Sequence, residues 1–270
     1  MARIIVITSG KGGVGKTTVT ANLGVCLSEL GSKVLLIDAD SGLRNLDLML
    51  GLENRIVFNC FDFLDGKCTI EKTLIRHKQP DKKNSGDLLL LSLIKNKQER
   101  TISEEELKKI ISLVSKNFDY ILIDCPAGID EGFRIATINA EEALVVITPE
   151  LASIRDADKV IGLLLSRNIS QEKINLIINR VRPEMVQKNN MISVEDIIDI
   201  LSTSIIGIIP EDKNIIISTN RGEPIVKEKG KSLISQSLID TAERITGKKI
   251  PFLDLEANWI KRLFFKRQRS

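Results

Sequence analysis

A glycine-rich stretch near the amino terminus constrains the fold more than any other part of the sequence. The residues Gly10-Lys-Gly-Gly-Val-Gly-Lys-Thr17 follow the apolar run Arg3–Thr8 and precede a helical pattern over Thr17–Leu30. The stretch fits both G-x-G-x-x-G, the dinucleotide fingerprint, and G-x-x-x-x-G-K-[ST], the P-loop. Both motifs need a strand before the loop and a helix after it, so either one predicts an α/β fold.

Two residues at the end of the stretch decide between these motifs. A dinucleotide loop brings a helix N-terminus to a pyrophosphate and needs no lysine there. A triphosphate carries more charge and a Mg²⁺ ion, so Lys16 would neutralise β- and γ-phosphate oxygens while the Thr17 hydroxyl ligates the metal. We therefore predict a P-loop for ATP and Mg²⁺. The predicted phosphate-binding residues are Gly10, Lys11, Gly12, Gly13, Val14, Gly15, Lys16, Thr17 and Thr18.

A P-loop site also needs an acid at the end of a second strand to hold Mg²⁺ through water. The run Tyr120–Asp124 ends four mostly apolar residues with an aspartate. Asp124 is the predicted Walker-B acid. The alternative is that it only caps a following helix.

The rest of the chain alternates apolar, β-rich runs with helical patterns. Nearly continuous Val/Ile/Leu runs are typical of strands covered on both faces, and the alternation predicts a doubly wound, mostly parallel sheet. The predicted strands are Arg3–Thr8, Lys33–Asp38, Leu88–Ser92, Tyr120–Asp124, Ala143–Thr148, Lys173–Ile178 and Ile205–Ile209. The predicted helices are Thr17–Leu30, one capped by Ser103 and Glu106, Ile154–Ser166, Ser193–Leu201 and Ser232–Thr246. Residues 66–86 are polar and lysine-rich and predict a surface loop with a solvated His77.

Composition excludes several classes of protein. The apolar fraction of 43% and the charged fraction of 28% are ordinary for a globular chain of 270 residues. None of the four cysteines forms a CxxC pair, so neither a zinc site nor a disulfide framework is predicted. The apolar run Ile4–Ile7 is too short for a secretory signal, and no run approaches the ~20 apolar residues of a membrane span. We expect an intracellular protein.

Several further motifs carry a family resemblance. Lys11 is a second lysine directly after the first glycine of the loop, which an ordinary P-loop does not need. Together with Leu35–Asp40, Gly42–Asp47, Asp124–Gly128 and Ile209–Asp212, the loop resembles the MinD/ParA family of deviant Walker-A ATPases, and most closely its septum-site-determining branch. The resemblance spans essentially the whole chain. It implies a P-loop NTPase fold of the SIMIBI type.

The resemblance also implies roles for individual residues. Lys11 would cross a dimer interface to the partner's phosphates, as an arginine finger does. Asp40 would orient the attacking water, and Asp38 would lie near the metal in the same switch. The implied catalytic residues are Lys11, Lys16 and Asp40, the metal-site residues Thr17, Asp38 and Asp124, and the adenine-side residues Asn179, Arg180, Pro210 and Asp212. The alternatives are purely structural roles, with Asp40 in a turn at the end of a strand and with Asn179 and Arg180 at a junction between a strand and a loop.

The last residues form a segment of different character. We predict a P-loop ATPase domain over 1–253 and an amphipathic, membrane-targeting segment over 254–270. Its apolar residues follow helical spacing and its basic residues occupy the remaining positions, which is typical of an interfacial helix. The predicted membrane-binding residues are Trp259, Ile260, Lys261, Arg262, Leu263, Phe264, Phe265, Lys266 and Arg267. The alternatives are a final helix packed on the body and a nucleic-acid contact.

Charge and resemblance together predict partners. The last ten residues hold five lysines and arginines, and removing these five charges from the net +3 leaves the rest at −2, so no specific nucleic acid is expected. The resemblance implies an ATP-dependent homodimer on an anionic membrane surface, a MinC-like division inhibitor and a MinE-like or other topological factor. The expected place is the cytoplasm and the inner face of the cell membrane, or the stroma and inner envelope of a plastid. A ParA-like partition ATPase acting on DNA, an electron-transfer iron protein and a scaffold that barely hydrolyses ATP are the alternatives.

Overall fold

The computed structural model describes residues 1–40, 45–78, 85–93, 101–227 and 232–255. Its strands are β1 Arg3–Thr8, β2 Val34–Asp38, β3 Ile75–Arg76, β4 Leu88–Ser92, β5 Tyr120–Asp124, β6 Glu142–Ile147, β7 Ile174–Val181 and β8 Ile205–Pro210. Its helices are α1 Lys16–Glu29, α2 Leu46–Met49, α3 Cys60–Leu64, α4 Glu104–Val114, α5 Glu131–Ala136, α6 Leu151–Ser166, α7 Pro183–Val186, α8 Val194–Leu201, α9 Asn214–Asn220 and α10 Leu233–Ile245. Within these ranges, no helix is long and apolar enough to cross a membrane.

The strands form one sheet in the order β3-β4-β2-β5-β1-β6-β7-β8. Seven of them run parallel, and only the two-residue β3 pairs antiparallel, with β4. The doubly wound, mostly parallel fold is therefore confirmed. Every residue of β2 and β5 is buried, as expected for strands covered on both faces.

Two apolar layers enclose the sheet. One lies under α4, α5, α6 and α8, and the other lies under α1 and α10. Helix α1 is buried at eleven of its fourteen residues, and Gly24 within it lies against Leu36 of β2, where a Cβ atom would come within 2.8 Å. The helix that begins at the P-loop is therefore enclosed by the core.

The predicted capping box at Ser103 is confirmed. The Glu106 backbone amide donates to Ser103 Oγ at 3.2 Å, and the Ser103 amide donates back to Glu106 Oε2 at 2.9 Å. This exchange satisfies two amides that the helix leaves unpaired at its start.

The polar segment before β4 differs from the prediction. It contains the edge strand β3, and His77 directly after it is only 4% exposed instead of solvated. Lys227 Nζ lies 3.3 Å from His77 Nε2. A strand of two residues is too short for an alternating pattern to show in sequence, and Lys227 is 150 positions away, so sequence alone could not place this histidine inside.

The predicted membrane segment lies almost entirely outside the described residues. All nine predicted membrane-binding residues fall beyond Leu255, so their prediction stays untested, as does the boundary at 253/254. Leu255 itself is 8% exposed and joins the apolar layer that contains α8.

Candidate nucleotide-binding site

The glycine-rich loop lies where the carboxyl ends of the central parallel strands meet. Strand β1 ends at Thr8, and the loop leads from it into α1 at Lys16. Gly13 and Gly15 adopt the left-handed backbone, with φ of +76° and +98°, which residues with a side chain rarely adopt. The amino end of α1, with its unpaired backbone amides, therefore faces the region where the predicted phosphates would lie.

Asn179 connects this loop to the end of β7. Its Nδ2 donates to the Val14 carbonyl at 2.7 Å, and a Cβ atom at Gly15 would come within 2.3 Å of the same nitrogen. Asn179 is 7% exposed, so the bond is shielded from water. The side chain that was predicted to lie on the adenine side thus also fixes the shape of the P-loop.

Lys16 is the first residue of α1 and is 8% exposed. The Thr20 hydroxyl, one turn later, lies 3.0 Å from the Lys16 carbonyl and 3.1 Å from Asp124 Oδ1. This second contact joins the helix to the end of β5. Thr20 was not predicted as part of the site, although a hydroxyl three residues after Thr17 follows helical spacing.

Two acids stand side by side at the strand ends. Asp38 and Asp124 are direct register partners in the β2–β5 pair and are 2% and 1% exposed. Burial, followed by the charge of Asp124, raises the pKa of Asp38 to about 8. Burial also raises the pKa of Asp124 to about 6, although a hydrogen bond from Thr17 and the charge of Lys16 oppose the rise. A cation between these two buried carboxyls and the phosphates would stabilise the ionised form of both carboxyls.

The donor atoms around these acids suit Mg²⁺. Carboxylate and hydroxyl oxygens from Asp38, Asp124 and Thr17 are hard ligands of the kind that Mg²⁺ prefers. In the described part of the chain, no group of three or more His, Cys, Asp or Glu residues forms a metal cluster. That arrangement fits an ion that keeps several waters and takes the rest of its ligands from the nucleotide phosphates.

Asp40 follows the same strand end but is more accessible. Its backbone amide donates to Asp38 Oδ1 at 3.2 Å, and its side chain is partly exposed. The structure therefore places Asp40 beside the predicted metal site and open to water. The next four residues, 41–44, lie outside the described ranges.

Lys11 lies on the outer side of the loop. Its Nζ is 3.4 Å from Glu150 Oε2, and the two side chains are 47% and 59% exposed. A pair this exposed is weak, in the range of about 0–1 kcal/mol. Lys11 is therefore bound only weakly to Glu150 and can leave it at little cost. Glu150, which precedes α6, was not predicted as a neighbour.

The predicted adenine-side residues share one cavity of about 800 Å³. Arg180 adopts φ of +59° where the β7–β8 register shifts, and Asp212 Oδ1 accepts from the Asn214 amide at 2.9 Å. The cavity is lined by Gly15, Thr18, Asn179, Arg180, Glu184, Pro210, Glu211, Asp212, Lys213, Ile215, Ile216 and Ile234. The structure thus brings all four predicted adenine-side residues together beside the P-loop. The isoleucines of α9 escaped prediction because a seven-residue helix has too few turns to show a periodic pattern.

Comparison with known families settles what kind of domain carries this site. Residues 5–225 match the model of the CobQ/CobB/MinD/ParA nucleotide binding domain.

The chain belongs to the MinD/ParA family.

Within the MinD/ParA family, septum site-determining proteins are among its relatives. It is 54% identical over 257 residues to the septum site-determining protein MinD of Synechocystis sp., covering 95% of this chain and 94% of that protein. The MinC:MinD cell division protein complex of Aquifex aeolicus contains a chain 51% identical to it, with a TM-score of 0.83 and coverage of 93% and 98%. The septum site-determining protein MinD of Pyrococcus horikoshii, complexed with Mg-ADP, is 33% identical, with a TM-score of 0.79 and coverage of 93% and 100%. The predicted MinD/ParA resemblance is confirmed.

Proposed function

We propose that this chain is an ATP-hydrolysing switch that dimerises with ATP, binds the membrane surface as a dimer and helps to place the division septum. The observation that carries the proposal is the position of Lys11. The P-loop needs one lysine and has it in the buried Lys16, whereas the Lys11 side chain is half exposed and forms a weak pair with Glu150. A second cation on the outside of the loop is suited to the phosphates of another copy.

Hydrolysis in this proposal uses the acids at the strand ends. Mg²⁺ supplies charge neutralisation for the phosphates when it is bound with ATP. Lys16 and the loop amides bind the phosphates, Asp38, Asp124 and Thr17 hold the ion, and Asp40 orients the attacking water. Lys11 of the second copy stabilises the charge that develops in the transition state, which is why turnover requires the dimer.

The membrane step rests on the chemistry of residues 254–270. Burying about four large apolar side chains yields roughly 6–12 kcal/mol, and each basic residue near an anionic surface adds about 1 kcal/mol. Ordering some ten residues costs on the order of 10 kcal/mol, so one segment binds weakly. Two segments on one dimer bind with an avidity higher by ~10²–10⁴. The dimer therefore occupies the inner face of the cell membrane, or of the plastid envelope, while the monomer stays in the cytoplasm or stroma.

The proposed partners follow from the relatives. A MinD chain of Aquifex aeolicus forms a complex with MinC, which supports a MinC-like division inhibitor as a partner here. A MinE-like or other topological factor would stimulate hydrolysis and so release the dimer from the membrane.

The decisive experiment measures the molar mass of the protein by light scattering with Mg²⁺ and either a non-hydrolysable ATP analogue or ADP. We expect a dimer with the analogue and a monomer with ADP. Lys11→Ala should bind nucleotide with unchanged affinity but remain a monomer, while the control Lys67→Ala, also an exposed lysine in an ion pair, should behave as the parent. A parent chain that stays monomeric when saturated with the analogue would refute the proposal.

Binding assays separate this function from a ParA-like one. Anionic vesicles and non-specific DNA are each incubated with the parent and ATP or ADP, alongside a chain that ends at Leu255. We expect ATP-dependent vesicle binding that the shortened chain loses, and no ATP-dependent DNA binding. The reverse pattern would establish DNA as the partner.

A further inference from the structure

The chain leaves the body at a defined place. Arg244, in the last turn of α10, holds the chain that follows the helix. Its guanidinium donates to the carbonyls of Ile206, Ile250 and Pro251 at 3.0, 2.8 and 2.8 Å. These bonds hold the chain beside β8, the last strand of the sheet order. The chain therefore passes the β8 edge at this point.

Beyond that edge, the chain reaches the apolar layer on the opposite face of the sheet. Helix α10 belongs to the layer with α1, whereas Leu253 and Leu255 join the layer that contains α8. Arg244 holds Pro251 beside Ile206, which lies five residues after the end of α8 at Leu201, and Leu255 follows four residues later in the same apolar layer as Leu201. Residues 256–270 begin there.

Helix α8 presents a mixed acidic and apolar surface on its outer side. Ile197 and Leu201 face the core, whereas Ile198 and Ile200 are 41% and 55% exposed. Its remaining exposed side chains are the acids Glu195, Asp196 and Asp199. Across the described ranges, none of these three acids forms an ion pair with a lysine or arginine.

Asp199 is the least expected of these acids. It lies in the last turn of α8, where a negative charge opposes the helix dipole. Glu195 and Asp196 stabilise the first turn, but helix stability does not account for Asp199. A basic partner on this surface would account for it.

We propose that segment 256–270 docks on the outer surface of α8 in the monomer, so that α8 and the membrane compete for the same side chains. The segment carries five lysines and arginines against three acids on α8, and Trp259, Ile260, Leu263 and Phe264 against two exposed isoleucines. Its fifteen residues would span about 22 Å as a helix, against about 12 Å for the eight residues of α8. The segment is thus long enough to cover α8 starting from Leu255. The docking stands by itself, and its regulatory consequence rests on the proposed function.

The regulatory consequence is a lower membrane affinity of the monomer. A docked segment must leave α8 before it can insert, so its apparent affinity for lipid equals its intrinsic affinity multiplied by the fraction of molecules in which it is free. Docking would thereby widen the difference in membrane binding between monomer and dimer, provided that the dimer has two segments to engage at once.

Tryptophan fluorescence tests the docking directly, because Trp259 is the only tryptophan in the sequence. The full chain with ADP, without lipid, is compared with a free peptide of residues 256–270. We expect emission at a shorter wavelength and weaker acrylamide quenching in the full chain. Asp199→Lys combined with Ile200→Ser should move both values to those of the peptide, and should raise the vesicle-bound fraction with ADP several-fold.

The matched control is Glu105→Lys with Leu113→Ser on α4, which makes the same changes of charge and polarity at exposed positions of another helix. It should leave the emission of the full chain unchanged and raise vesicle binding less. Emission of the parent identical to that of the peptide would overturn the proposal, as would an α8 variant that emits like the parent. Neither readout needs dimerisation, so a failure of the proposed function would appear in the light-scattering experiment instead.

Discussion

At the scale of single residues, the site depends on side chains that serve the fold and the ligand together. Asn179 holds the Val14 carbonyl from 165 positions away while it lines the cavity beside the P-loop. Asp38 and Asp124 lie fully inside the protein, where their carboxyls are costly without a cation. Replacing such residues should therefore change stability and ligand binding in separable ways.

We expect Asn179→Ala to lower both stability and nucleotide affinity. It leaves the buried Val14 carbonyl without its side-chain donor, which costs about 1–3 kcal/mol. Urea unfolding monitored by circular dichroism measures the free energy of unfolding. Asn175→Ala is the control, since Asn175 lies on the same strand and is partly exposed. Equal losses in the two variants would contradict a special role for the Val14 bond.

We expect Asp38→Asn to stabilise the nucleotide-free protein. Because burial raises the pKa of Asp38 to about 8, the folded state bears a cost at neutral pH that the neutral amide avoids. At pH 7 the carboxyl is ionised in the unfolded chain and mostly neutral in the folded one, so the gain should be on the order of 4 kcal/mol. The same variant should lose the Mg²⁺-dependent part of its ATP affinity, measured by titration calorimetry with and without Mg²⁺. A variant that is less stable than the parent yet keeps that dependence would count against a metal-site role.

At the scale of elements, the sequence predicted the strands and helices that have a periodic pattern of apolar residues, and it missed contacts and elements that have no such pattern. Seven strands and five long helices follow from apolar runs and helical spacing, with ends shifted by a few residues, such as α6 starting at Leu151 instead of Ile154. The P-loop and the two acids could be predicted because each motif directly follows a buried strand. The bonds of Asn179 and Thr20 could not, since they join residues more than 100 positions apart. The burial of His77 beside Lys227 was missed for the same reason, whereas the edge strand β3 was missed because its two residues are too few to show an alternating pattern.

The burial of His77 after β3 predicts that the folded protein loses stability in acid. Burial, followed by the charges of Lys227 and Arg55, lowers the pKa of His77 to about 4. The unfolded chain takes up a proton near pH 6.5, whereas the folded chain does so only near pH 4, so stability falls as the pH drops through that window. The full loss is about 3 kcal/mol.

His77→Gln should remove this loss while keeping an acceptor for Lys227. Unfolding midpoints in urea at pH 7.5 and pH 5 give the comparison. We expect the parent to lose more stability than the variant between these pH values. Parallel losses would show that the histidine does not carry the acid sensitivity.

At the scale of the whole molecule, the proposed switch links two sites at different places on the fold. The nucleotide lies at the carboxyl edge of the central strands, whereas the described chain ends at Leu255 beyond the β8 edge. Dimerisation connects the two sites because it places two membrane-binding segments on one particle, without any change in the segments themselves. Each dimer then needs both of its segments for tight binding.

Mixed dimers with a single segment test whether tight membrane binding needs both segments. With ATP, an excess of the chain that ends at Leu255 should pair with full-length chains and lower their vesicle-bound fraction, toward the ~10²–10⁴ lower affinity of a single segment. Co-sedimentation of labelled full-length chains with vesicles provides the measurement. The same shortened chain with Lys11→Ala cannot pair and should have no effect. If both shortened chains have equal effects, avidity does not hold the dimer on the membrane.

The enclosure of α1 determines which parts of the site can respond to a third phosphate. Since the core surrounds this helix, its first turn, which begins at the buried Lys16, is held in place as ATP replaces ADP. At the other end of the nucleotide, Asp40 after β2 is partly open to solvent and Gly128 after β5 adopts φ of +89°, so these two positions are less constrained than α1. The first turn of α1 thus fixes one end of the nucleotide, and Asp40 and Gly128 lie where the length of the phosphate chain can be detected.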